Sequence, residues 1–245
     1  MRVAGSLQDG GRSYRRIEMN TCTYLSRALG CGVVLLGTLS ACAGTQYVEG
    51  GGEPIVGYTH GSREVARAPI TLGELEEIKL SLLMSDEDIK YLRMSHDVLE
   101  PNVGELVDVW YGFVGSNPHL LKYFSSSEGE PDMEYLGRVR ARFIQWVLDT
   151  AEAEYDQDWL DYQFEIGRRH NRVGKNMTDD AKAVDHIHFR HLSALTIPVT
   201  TTIRPFLAKG GHSAEDVDKM QAAWVKSVLM QTILWSYPYV NDGEF

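Results

Sequence analysis

Cysteine is scarce in this 245-residue chain: the three present, Cys22, Cys31 and Cys42, all fall within the first 42 residues. None follows, which excludes a disulfide framework and a thiolate metal site from positions 43 to 245. Basic residues are short as well, 24 Lys and Arg against 34 Asp and Glu, for a net charge of −10. So acidic a chain lacks the positive footprint that holds nucleic-acid phosphates, and nucleic acid is set aside as a partner. The most apolar stretch, Ala28 to Ala41, has fourteen residues, short of the roughly 20 that a spanning helix needs. P-loop, GxSxG, HExxH, EF-hand and CxxCH patterns are all missing, which removes nucleotide, zincin and covalent-haem chemistry. Alternating strand runs are missing too. What is there, 43% hydrophobic and 10% aromatic residues, suffices for one sizeable core and hence one domain.

The fourteen-residue stretch follows Arg27 and has the length and flanks of an export leader. It ends Leu39-Ser40-Ala41-Cys42, which resembles the lipobox of bacterial lipoproteins. The expectation is a leader over 1–41, with Met19 as an alternative start, and lipidation at Cys42. A Gly-rich tether over 42–53 would follow, and a globular domain over 54–245. That reading places the protein outside the cytoplasmic membrane, held by its acyl chains. With a silent leader it would be cytoplasmic.

Beyond the tether the apolar period is 3.6. Thr71-Leu72-Gly73-Glu74 and Ser85-Asp86-Glu87-Asp88 read as helix starts, and Pro101 suits a first helical position. From there Val103, Leu106, Trp110 and Val114 form a stripe that stops at Gly115-Ser116-Asn117-Pro118. A helix after Pro131-Asp132 carries Leu136, Val139, Phe143 and Val147 inward, with Arg138, Arg142 and Asp149 outward. Asp156 caps the next, whose apolar face is Trp159, Tyr162, Ile166 and His170. A helix through Val184, Ile187, Leu192, Leu195 and Ile203 is expected to bend or end at Pro198 and Pro205. After Gly210-Gly211, Ser213 caps a last helix with Val217, Met220, Trp224, Val228 and Trp235 inside. About seven helices with short connections predict an all-α bundle or globin-like packing.

Eight histidines are the remaining candidates for chemistry. On a helix His186 and His188 would point roughly 200° apart, leaving only His188 and His191 on one face, too few for a metal site. His170 differs because it closes an apolar face. Its buried ring needs a partner for each nitrogen, or a metal for one. Trp110, Tyr111, Phe113, Phe143 and Trp146 could surround either a packed core or a flat apolar cofactor, and periodicity does not separate the two.

The residues themselves add a resemblance. Trp110-Tyr111-Gly112-Phe113-Val114-Gly115-Ser116 with Pro118-His119-Leu120-Leu121, and the run YDQDWLDYQFEIGRRH from Tyr155 to His170, resemble protoglobins, as do FIQWVLDT at 143–150 and the closing WSYPYV at 235–240. The resemblance covers about 54–245. It implies a globin fold with an additional N-terminal helix and an extended arm, a non-covalent haem b, and binding of O2, CO and NO. It implies His170 as proximal iron ligand, Trp110, Tyr111 and Phe143 on the distal side, and Ile166 and Leu195 beside the haem. A homodimer through the last two helices is implied as well. The use implied is that of a gas sensor, scavenger or carrier. The alternatives are a haem enzyme, a NO dioxygenase or peroxidase-like activity with an external electron donor, and a haem-free helical lipoprotein that binds a partner.

Overall fold

The computed structural model describes residues 54–245 except positions 127 and 242. The expected leader, tether and Cys42 lie outside the described residues. Within them the architecture is all-α. The helices are α1 (Leu72–Ser81), α2 (Asp86–Leu99), α3 (Val103–Gly115), the single turn α4 (Pro118–Leu121), α5 (Met133–Glu152), α6 (Gln157–His170), α7 (Phe189–Leu207) and α8 (Ala214–Trp235). Short 3-10 turns accompany them, and β structure among the described residues is confined to isolated bridges. An irregular arm, residues 54–71, precedes α1.

The starts of these helices are written in side-chain oxygens that accept the first free N–H groups. Thr71 accepts from the Glu74 N–H at 3.2 Å while the Glu74 carboxylate accepts from the Thr71 N–H at 2.7 Å. Ser85 and Asp88 repeat the device on α2. Asp132, Asp156 and Ser213 cap α5, α6 and α8. Each such cap contributes about 1 kcal/mol. α8 is the central element, packed against α2, α6 and α7, while α3 lies on α5 and α7. Trp224 on α8 is fully buried and donates to Ser95 on α2 at 2.9 Å. Gln231, also on α8, accepts from Trp146 on α5 at 2.6 Å and donates to Thr150 at 3.1 Å. This buried polar set is satisfied across the two helices and therefore fixes how they face each other.

Three expectations are corrected. Pro101 sits in a 3-10 turn, Glu100–Asn102, just before α3 rather than on its first turn. Of the bend or end expected at Pro198 and Pro205, the end is overturned, since α7 runs through both. Each removes one N–H from the helix ladder, but packing against α3 and α8 holds the segment helical. Asp149 and Arg142 do not face outward. Asp149 is buried and accepts from Tyr58 at 2.9 Å and Gln145 at 2.7 Å. Arg142 is clamped to Asp179 at 2.5 Å and donates to the Val56 carbonyl at 2.8 Å. In both cases the arm supplies a second packing surface over what would otherwise be a solvated face.

α6 closes onto the end of α8 at Gly167. A Cβ built there would lie 3.0 Å from the Trp235 Cα and 3.1 Å from its carbonyl oxygen, and backbone does not yield as a flexible side chain would. Gly167→Ala is expected to lower stability by about 1–3 kcal/mol through overpacking. Urea unfolding of the variant beside the parent chain measures this, and an unchanged midpoint would contradict the close packing.

Candidate functional site

A cavity of about 220 Å³ opens between α3, α5, α6, α7 and α8, roughly fifteen to twenty times the space that one buried water requires. All six residues expected beside a cofactor line it: Trp110 and Tyr111 from α3, Phe143 from α5, Ile166 and His170 from α6, and Leu195 from α7. The walls are mostly apolar and aromatic, the character of small-molecule and cofactor sites.

His170 is held from two sides. Its Nδ1 lies 2.8 Å from the Ile166 carbonyl oxygen. A carbonyl only accepts, so Nδ1 carries the proton and Nε2 keeps its lone pair. Nε2 has no hydrogen-bond partner among the described residues. Trp235 stacks on the ring at 5.5 Å between centroids and 16° between planes, and its indole N–H is tied to Gln163 at 2.9 Å. The ring sits deep in the protein yet keeps some accessible surface; lining the cavity accounts for both. Burial is the main cause that pulls its pKa down to about 4, with Lys175 and Arg169 adding to the shift and the Ile166 bond opposing it. The imidazole is neutral at neutral pH, the form that ligates metal.

Across the cavity, Trp110, Tyr111 and Phe143 form an aromatic cluster. Trp110 meets Tyr111 edge-on at 5.1 Å and Phe143 at 4.8 Å. The Trp110 Nε1, the Tyr111 hydroxyl and the Tyr123 hydroxyl are buried without a partner among the described residues, and all three residues line the cavity. An unsatisfied buried donor costs about 1–3 kcal/mol, so three around one space point to a polar guest. Burial pushes the Tyr111 phenol well above its ordinary range. The group therefore stays a donor.

The expected helical geometry of His186 and His188 is corrected: both precede α7, whose first residue is Phe189. The Ile187 N–H donates to the His170 carbonyl at 3.0 Å, which draws this segment across the end of α6. Their rings meet edge-on at 5.1 Å, and His191 lines the cavity. Among the described residues no three His, Cys, Asp or Glu side chains are grouped to hold a metal ion.

Sequence reasoning missed several lining residues. Trp235 was read only as part of a buried stripe, and its stacking partner lies 65 positions away. Arg142, Arg169 and Lys175 bring positive charge to the cavity wall. Periodicity set Arg142 on the outward face, and Arg169 passed within the run ending at His170 without being singled out. Their signal would have been charge standing on an otherwise apolar face or in a short polar loop.

The depressed His170 pKa predicts how the cofactor-free chain responds to acid. Unfolded, the group titrates near 6.5; folded, near 4. Between these values the unfolded state binds more protons, so stability falls as pH drops from about 6.5 to 4, by up to roughly 3 kcal/mol. Denaturant unfolding at several pH values should show this slope in the parent chain and a flatter one in His170→Leu. Equal slopes would remove His170 as its source.

Residues 71–245 match the family described as Protoglobin. No curated protein matches the chain. The match spans α1 to the last residue and takes in every helix that walls the cavity. The fold is accordingly a globin fold with an additional N-terminal helix and an arm, and the chain belongs to the protoglobin family of globin-type haem proteins that bind gases.

Proposed function

We propose that this protein binds haem b with His170 as the residue that would hold its iron and reversibly takes up a diatomic gas, O2, CO or NO, beside Trp110, Tyr111 and Phe143. The observation that carries the reading is the His170 Nε2, a lone pair without a partner on a neutral ring that lines an aromatic cavity. The residues fit the group. Apolar walls suit a flat macrocycle, the imidazole suits its iron, and the orphaned donors suit a small polar ligand. When bound, haem would be held by His170 and would supply an iron able to take up a diatomic ligand.

The chain's own residues do the rest. The Ile166 carbonyl fixes the tautomer of His170 and raises the basicity of its other nitrogen, as outer partners of metal-ligating histidines do. Trp235 limits rotation of the ring. Tyr111 offers a hydroxyl to a ligand that gathers negative charge. Trp110 and Phe143 exclude water around it, which strengthens that hydrogen bond.

Spectra of the full chain loaded with haem, ferric, ferrous and ferrous with CO, test the reading. They should be those of histidine-ligated haem in the parent and lost or altered in His170→Ala. Identical spectra would overturn the assignment. Tyr111→Phe should speed O2 release roughly two- to tenfold, the worth of one hydrogen bond; an unchanged off-rate would clear Tyr111 of that role.

The lipobox-like Leu39-Ser40-Ala41-Cys42 supports an exported protein held by lipid at Cys42. No helix among the described residues is long and apolar enough to cross a membrane. Cys42→Ser should move the protein out of the membrane fraction, and an unmoved variant would end this reading.

A further inference from the structure

Three lysine and arginine side chains line the cavity: Arg142, Arg169 and Lys175. Two already face a carboxylate, Arg142 with Asp179 at 2.5 Å and Arg169 with Glu165 at 2.9 Å. Lys175 has none within ion-pair distance among the described residues. It is nevertheless 4% exposed. Its ammonium donates to three neutral oxygens, the Tyr123 carbonyl at 3.2 Å, the Tyr135 hydroxyl at 2.8 Å and the Asn176 side-chain carbonyl at 2.7 Å. All its hydrogens are placed on neutral oxygens, while the carboxylates that act on it, Asp179 and Asp185, stand beyond ion-pair distance. Buried charges are ordinarily paired, and removing this one from water pulls its pKa down to about 8.

Tyr135 extends the argument. It lines the same cavity, and its hydroxyl oxygen accepts from Lys175 while its own proton has no acceptor among the described residues. A phenol O–H polarised by an ammonium behind it is a strong donor to an anion. Other donors on the walls, Trp110, Tyr111 and Tyr123, have no cation bonded to them.

We propose that Lys175 and Tyr135 form an anchor for an anionic carboxylate of the tetrapyrrole that enters this cavity, Lys175 neutralising its charge and Tyr135 donating to it. The inference rests on the haem reading above and adds to it which residues choose the cofactor's acidic edge. Arg142 and Arg169, engaged by Asp179, Glu165 and the backbone of the arm, serve the fold rather than this contact.

Metal-free protoporphyrin and its dimethyl ester separate this inference from iron ligation, since neither carries a metal for His170 and only the first carries charge. Each is titrated into the full chain prepared without haem, followed by porphyrin emission, with helix content monitored by circular dichroism. The parent chain should bind the diacid at least about tenfold more tightly than the ester. Lys175→Met should bring the two within about twofold by weakening the diacid alone, Lys175→Arg should restore much of the preference, and Tyr135→Phe should lose part of it. A preference undiminished in Lys175→Met overturns the anchor, and should that variant fail to fold, an undiminished preference in Tyr135→Phe does so. A parent chain that binds both porphyrins equally also overturns it while leaving the haem reading in place. A folded parent that binds neither overturns the anchor as well, while the haem spectra of the parent and His170→Ala decide the haem reading separately.

Discussion

One hydrogen bond, from the His170 Nδ1 to the Ile166 carbonyl one helical turn back, sets the chemistry of the cavity. It makes the Nε2 lone pair available and aims it along a direction that the last turn of α6 determines. That turn is held by packing: Gly167 lets the helix approach the Trp235 backbone closely, and Trp235 then lies flat on the imidazole. Gln163, one turn before Gly167, holds the indole N–H. Three residues of one helix and one of another thus fix the position of a single nitrogen, and side chains locked by such second contacts give a site its precision.

The cavity is electrostatically unfinished in a patterned way. Its aromatic side holds donors without acceptors among the described residues, and its polar side holds a buried ammonium with no carboxylate of the described residues at ion-pair distance. A core selected for stability alone would not keep both, since each costs free energy in a low dielectric. A guest with an apolar body and an acidic edge, itself carrying a small polar ligand, would resolve both at once. The buried network of Trp146, Gln231 and Thr150 shows the contrast, because every partner there is present and the result is rigidity.

Much of the fold was legible in the residues. The caps at Thr71, Ser85, Asp132, Asp156 and Ser213 are local devices, so their positions follow from a few neighbouring side chains. The face ending at His170 was legible too, whereas the cavity that its ring lines was not, because periodicity does not distinguish a packed core from a hollow one. Asp149 and Arg142 were misplaced because the arm that covers them has no period to read. Pro198 and Pro205 were misread because neighbouring helices overrode a local propensity. His186 and His188 were put on a helix because the apolar Val184 and Ile187 mimic one, whereas Ile187 is bonded to the end of α6. The signal of Lys175, one charge in a short polar loop, does not distinguish it from any other such lysine until its burial is seen.

The arm has a consequence for the order of events. Arg142 and Arg169 reach it through the carbonyls of Val56 and Gly57 and the hydroxyl of Thr59, bonds joining residues 86 to 112 positions apart. Closing so long a span carries an entropic cost that is recovered only once the helices at its far end are in place. The arm's hold on Arg142 and Arg169 therefore depends on α5 and α6 being in place, so it completes the helical assembly and does not seed it.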